Sequence, residues 1–167
     1  MSRLALILGL AAAIAAAQEQ PPPLATRTLS DREFTIPTDL PLGPAVLIVG
    51  FTRASRTQTS AWSRQLADLT PEPVFQVAIL EDVPSPLRRF VIGSIKADIP
   101  QALRDRFLVV TQGTSAWKAL CSSTQEDEAC VLLLAGDRQI VWRSHGNATA
   151  QSTDVLRSQI AGLKDQS

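Results

Sequence analysis

The sequence predicts an α/β domain: a central mixed β-sheet covered by helices, ending in a β-hairpin and a last helix. Three observations predict it. Residues 45–51 (AVLIVGF) and 74–80 (VFQVAIL) are continuous apolar runs rich in β-branched side chains, the pattern of strands buried on both faces. Between them Trp62, Leu66 and Leu69 repeat at i, i+4, i+7, so the three segments read as a right-handed strand–helix–strand crossover of a parallel sheet. Gly136-Asp137 separates residues 131–134 from residues 139–142, and so short a connection forces that last pair of strands to be antiparallel.

The remaining elements follow in order. Residues 18–44 carry Pro21, Pro22, Pro23, Pro37, Pro41 and Pro44 and cannot sustain a helix; they read as a linker or a wrapped arm, with a short edge strand at Phe34-Thr35-Ile36 stopped by Pro37. Ser55 with Gln58 three residues on is a capping-box signature for the first helix, and Pro71 ends that segment. Ser85-Pro86 opens a second helix with an apolar face of Leu87, Val91 and Ile95, closed by Pro100. A polar turn carrying Arg104, Asp105 and Arg106 leads to a third strand at residues 107–110. Residues 114–120 form a brief helix with Trp117 inward, and a polar loop (SSTQEDEA) separates Cys121 from Cys130. On the hairpin, Ile140 and Trp142 alternate with Val141, which places Trp142 in the core. Gly146 suits a turn with positive φ, Thr149 or Ser152 caps the last helix, and Leu156, Ile160 and Leu163 give that helix its apolar stripe.

Domain organisation begins with an expected signal peptide at residues 1–17: a basic Arg3, an apolar run from Leu4 to Ala17, and small residues at Ala15 and Ala17. That run is 14 residues long, shorter than the roughly 20 a membrane-spanning helix needs, and no later stretch is apolar enough to span. The expected mature chain is therefore exported, periplasmic or secreted, with a proline-rich lead-in at 18–44 and one domain at 45–165. The whole chain has 16 basic and 16 acidic residues, with no basic stripe, which argues against nucleic acid as a partner. Two cysteines and the lone His145 are too few ligands for a zinc site, and no cofactor is expected. In an oxidising compartment Cys121 and Cys130 pair by default. They read either as a structural staple or as a redox pair, and the nearby Glu126, Asp127 and Glu128 would raise rather than lower a thiol's pKa.

This element order resembles the thioredoxin-like superfamily over residues 45–163. The resemblance implies a Cys-x-x-Cys pair where the first crossover strand meets its helix, because a helix N-terminus stabilises a thiolate. Here that loop, residues 52–59, runs Thr52, Arg53, Ala54, Ser55, Arg56, Thr57, Gln58, Thr59, without a thiol. Dithiol exchange and peroxidatic chemistry are impossible at that site, and no histidine or carboxylate in the loop activates a hydroxyl. Arg53 and Arg56 either bind an anion or are simply solvated. At the hairpin entry, where the superfamily has a cis-proline, the resemblance places Cys130, close to the vacant loop.

The carboxyl-terminal half, residues 99–163, resembles the ATP10 family of ATP synthase assembly factors. Its matching positions are Ile99-Pro100, Arg106-Phe107, Ile140-Val141-Trp142, and the tail Trp142, Gly146, Ala148, Thr149. Members of that family also lack the thiol motif. The functional expectation is a non-enzymatic, exported module that binds a protein partner in assembly or chaperoning. The alternative is a thiol-disulfide oxidoreductase, or a peroxiredoxin-like protein, using Cys121 and Cys130.

Overall fold

In a computed structural model the chain runs β1 (Leu24–Thr28), β2 (Glu33–Ile36), β3 (Ala45–Gly50), α1 (Arg56–Gln65), β4 (Val74–Ile79), α2 (Ser85–Asp98), a 3-10 turn (Gln101–Arg106), β5 (Phe107–Val110), α3 (Ser115–Cys121), β6 (Cys130–Leu134), β7 (Ile140–His145) and α4 (Ala150–Lys164). It describes residues 19–68, 73–121 and 126–165. The expected signal peptide, Leu69 and Pro71 of the first helix segment, and half of the loop between the cysteines lie outside the described residues.

Among the described residues the strands make one sheet in the order β2-β1-β5-β4-β3-β6-β7. The centre, β3, β4 and β5, is parallel, while β6 and β7 add antiparallel on one side and β1 and β2 on the other. Because the three parallel strands lie side by side in chain order, both crossovers move the same way across the sheet, and right-handedness puts both connecting helices on one face. The packing agrees. Trp62 of α1 and Leu66 at its C-cap pack with Val46, Ile48 and Val131, and with Leu156 and Ile160 of α4. On the same face, Ile95 of α2 packs with Phe107 and Val109.

The opposite face would be bare if crossovers alone covered the sheet. It is covered by α3, through Trp117 and Leu120, and by Leu24, Ile36 and Leu40 of the proline-rich segment, over Leu47, Val49, Phe75, Val77 and Leu108. The expected edge strand is present as β2, and β1 makes the lead-in part of the sheet, a correction to the reading of a linker or arm. The strand β1 pairs with β5 as well as with β2. Its inward side includes Thr26 and Thr28, which makes it look polar in sequence. Local bonds satisfy both hydroxyls: Thr26 donates to the Phe34 carbonyl at 2.7 Å, and Thr28 accepts from the Arg32 amide at 3.1 Å. Upstream, the Ile140 amide donates to the Glu19 carbonyl (2.8 Å) and the Trp117 indole to the Pro22 carbonyl (3.0 Å), so residues 19–23 cross over α3 from β7 towards β1.

Three local expectations change. The capping box on α1 does not form: the Ser55 hydroxyl turns back to the Thr52 carbonyl (2.7 Å), and the Gln58 side chain accepts from the Ala129 amide (2.8 Å) instead of reaching its own helix start. On α2, Leu87 is 54% exposed and the packed residues are Val91, Ile92 and Ile95. The polar turn after Pro100 is a 3-10 turn, with the Arg104 side chain bonded to the Ile99 and Lys96 carbonyls (3.2 and 2.9 Å).

The hairpin carries an irregularity that alternation alone does not reveal. Leu133 faces Trp142 and Leu134 faces Ile140, leaving Val141 as an extra residue. Ile140 and Trp142 consequently pack on opposite faces of the sheet. After it, Gly146 has φ +78° and α4 starts with a reciprocal capping box between Thr149 and Ser152.

Candidate functional site

The loop where the resemblance implies a redox pair is built from the end of β3 and the first turn of α1. Gly50 lets the two approach closely, since a Cβ there would lie 2.8 Å from the Ser55 Oγ and 3.1 Å from the Thr59 Cγ2. Ser55 is fully buried and Thr59 nearly so. Their hydroxyls are committed internally: Ser55 donates to Thr52, while Thr59 donates to the Arg56 carbonyl (3.0 Å) and accepts from the Gln76 amide (3.2 Å). Thr57 is exposed, Gln58 holds the Ala129 amide, and Arg56 pairs with Asp98 across the gap to α2. Among the described residues no base faces the hydroxyls of Ser55, Thr57 or Thr59, and His145, the one histidine in the sequence, contacts the Cys121 carbonyl instead. Those three hydroxyls are therefore without an activating base.

The approach to β6 lies against this loop, whereas the resemblance implied a sulfur there. Besides the Gln58 bond to Ala129, the Thr52 hydroxyl donates to the Asp127 carboxylate at 2.8 Å. The sulfur itself points away. Cys130 packs on the face of α3, and it is bonded to Cys121 with the two Cα atoms 6.0 Å apart and both residues at 0% exposure. A disulfide sealed in this way has no thiolate to offer and no open line of attack for another thiol.

The four tail residues make internal contacts. Trp142 stacks edge-on against Trp62 (centroids 6.3 Å apart), and the Trp62 indole donates to the Gly146 carbonyl at 2.9 Å. Gln65 donates to the Ala148 carbonyl at 3.2 Å, and Thr149 caps α4. The motif thus joins α1 to the hairpin and to the final helix, a network that sequence spacing does not reveal because its partners lie some eighty residues away.

What sequence reasoning missed is a cavity of about 620 Å³ between α1 and α2, beside the vacant loop. One wall carries Arg53 of the loop with Arg56, Thr59 and Ser60 of α1; the α2 wall carries Phe90, Val91 and Ile95, with Phe90 79% exposed at the rim. Exposure of Phe90 was not readable, because i, i+3, i+4 spacing does not say how far apart two helices settle. Of the acidic residues lining the cavity, Asp98 pairs with Arg56 and Asp82 with Lys118 (3.0 Å). The hydrogen bond to Asp82, reinforced by Glu126 and opposed by desolvation, raises the pKa of Lys118 above its ordinary value, so Asp82 keeps its counter-charge.

No protein-family model matches this chain, and neither does any curated protein. Solved structures do. The chain is similar to BsSco, a member of the Sco family of cytochrome c oxidase assembly proteins, with a TM-score of 0.57, 10% identity, and coverage of 89% of this chain and 94% of that one. It is similar to a putative thiol:disulfide interchange protein DsbE from Chlorobium tepidum (0.57, 11% identity, 87% and 96%) and to a peroxiredoxin-like protein from Aquifex aeolicus (0.56, 11%, 87% and 86%). At these identities the likeness is one of fold, and with the mixed sheet and its covering helices it gives this chain a thioredoxin-like fold.

Proposed function

We propose that this chain is an exported thioredoxin-like protein that binds a protein partner without thiol–disulfide exchange, in an assembly or chaperone role of the kind the ATP10 resemblance implies. One observation carries the reading: the loop at residues 52–59 holds no thiol, and the only two cysteines of the chain are joined and fully buried on the other face of the sheet. Export is supported by the apolar run at residues 4–17 and by the disulfide, a bond that persists chiefly in oxidising compartments. Among the described residues no helix is long and apolar enough to cross a membrane.

The second reading, a thiol-disulfide oxidoreductase or peroxiredoxin-like protein using Cys121 and Cys130, has one specific support: the disulfide exists, and similar structures include a thiol:disulfide interchange protein. An insulin-reduction assay under thiol supply, with thiol labelling before and after mild reductant, separates the two. The binding reading expects no turnover and no labelling until the chain unfolds. Turnover that disappears in a Cys130→Ser variant would replace it with the oxidoreductase reading.

A further inference from the structure

We propose that the cavity between α1 and α2 binds a small amphiphilic anion, its apolar body against α2 and its acidic head at Arg53. The site is independent of the protein-binding reading above. Its volume, about 620 Å³, lies within the range of small-molecule sites, which are typically apolar with a few convergent polar groups.

The two walls differ in chemistry. From the α2 side and the sheet, Val83, Phe90, Val91, Ile95 and Phe107 supply apolar surface. From the α1 side come Arg53 and the hydroxyl of Ser60, with Gln76 on the floor between the helices. Gln76 is already tied to α1 on both ends of its amide, accepting from Ser63 (3.0 Å) and donating to Thr59 (3.2 Å), so the floor of the polar side is held in place.

Charge decides the head group. Of the two lining carboxylates, Asp98 pairs with Arg56 and Asp82 with Lys118, a lysine that Glu126 shares (3.3 Å), whereas Arg53 is exposed and has no acidic partner among the described residues. The polar wall therefore carries one guanidinium charge without a carboxylate of its own. A neutral ligand leaves that charge unused and a cationic one opposes it; an anion with an apolar tail satisfies both walls. The 79% exposure of the Phe90 ring fits the same picture, because an apolar tail laid across the cavity covers an aromatic surface that the protein itself leaves in water.

Calorimetric titration of the purified chain with dodecanoate, dodecanol and dodecyltrimethylammonium, each below its micelle concentration, tests the site. Dodecanoate is expected to bind about tenfold more tightly than the other two. Ser94→Trp, which fills the cavity from an exposed position on α2, and Phe90→Ala, which removes the rim ring, are expected to weaken dodecanoate and dodecanol alike by about tenfold. Arg53→Glu is expected to weaken dodecanoate only. Equal affinity for all three amphiphiles overturns the charge assignment, and unchanged binding by a folded Ser94→Trp variant overturns the location. Absence of binding overturns the proposal, as does self-association in sedimentation that Ser94→Trp abolishes, which would give the cavity to a second copy of the chain.

Discussion

Removing the disulfide is the sharpest test of its role. In the double variant Cys121→Ala, Cys130→Ala the native packing changes by two sulfur atoms at fully buried positions, while the unfolded chain gains the freedom of a loop closed at a sequence separation of 9. Chain entropy for a loop of that size is about 2.5 kcal/mol at 25 °C. For a domain of roughly 150 residues, each kcal/mol lowers the melting temperature by about 2 to 4 °C, so the variant is expected to melt about 5 to 10 °C lower. Thermal unfolding by circular dichroism, run on both proteins without reductant, measures this. The same samples, titrated with an alkylating reagent after mild reductant, are expected to show unmodified cysteines in the wild type until it unfolds. A melting temperature unchanged by the double substitution, together with rapid labelling of the folded wild type, would refute the argument that burial makes this bond a staple.

Other outcomes follow from individual contacts. Trp62→Phe leaves the buried Gly146 carbonyl without its donor and weakens the ring pair with Trp142; the expected loss is about 1 to 3 kcal/mol, read from chemical unfolding, with a changed near-UV spectrum. Gly146→Ala forces a Cβ onto a residue with φ +78° and is expected to cost about 1 kcal/mol, whereas Gly93→Ala, in open space on α2, is expected to stabilise. The Thr114 hydroxyl and the Gly113 and Thr114 amides hold the Glu81 carboxylate below its ordinary pKa of 4.5, against the opposing effect of desolvation. A depressed folded pKa gives stability that is present above the unfolded value and lost as pH falls through the folded one, so Glu81→Gln is expected to flatten the acid side of the stability profile below about pH 4.5. Deleting residues 19–23 removes the acceptor of the Trp117 indole at Pro22 and is expected to shift its emission to the red.

The central sheet was legible because its signal is intrinsic to each strand. Ala45 to Val49 are all at 0% exposure, and a strand buried on both faces has to be apolar at every position. Helix stripes such as Leu156 and Ile160 were legible for the same reason. The strand β1 was not, because its inward threonines are satisfied by bonds to a neighbour that only the fold supplies. Side chains at helix starts were misread where a long-range partner won: Gln58 is as well placed for its own helix as for Ala129, and nothing in the local sequence ranks the two. The site was half legible. Absence of thiols from residues 52–59 is a fact of sequence, but the cavity beside them depends on how far α2 stands from α1, a gap that the Arg56–Asp98 pair spans and that local sequence does not encode.

The loop at residues 52–59 is structurally occupied. Its polar groups now hold neighbouring segments: Ser55 fixes the turn, Thr59 anchors Gln76, Thr52 and Gln58 clasp the approach to β6, and Arg56 spans to α2. A reactive site requires groups whose hydrogen-bonding capacity is reserved for a substrate, and here that capacity is spent within the chain. The unspent groups are the Arg53 guanidinium of this same loop and the apolar wall of α2 beside it. The proposed amphiphile site therefore draws on one loop residue and the helix-lined cavity, and the disulfide lies on the opposite face of the sheet. Loss of the disulfide is accordingly expected to lower the melting temperature and leave amphiphile affinity unchanged; a parallel loss of both would show that the two faces of the sheet are not independent.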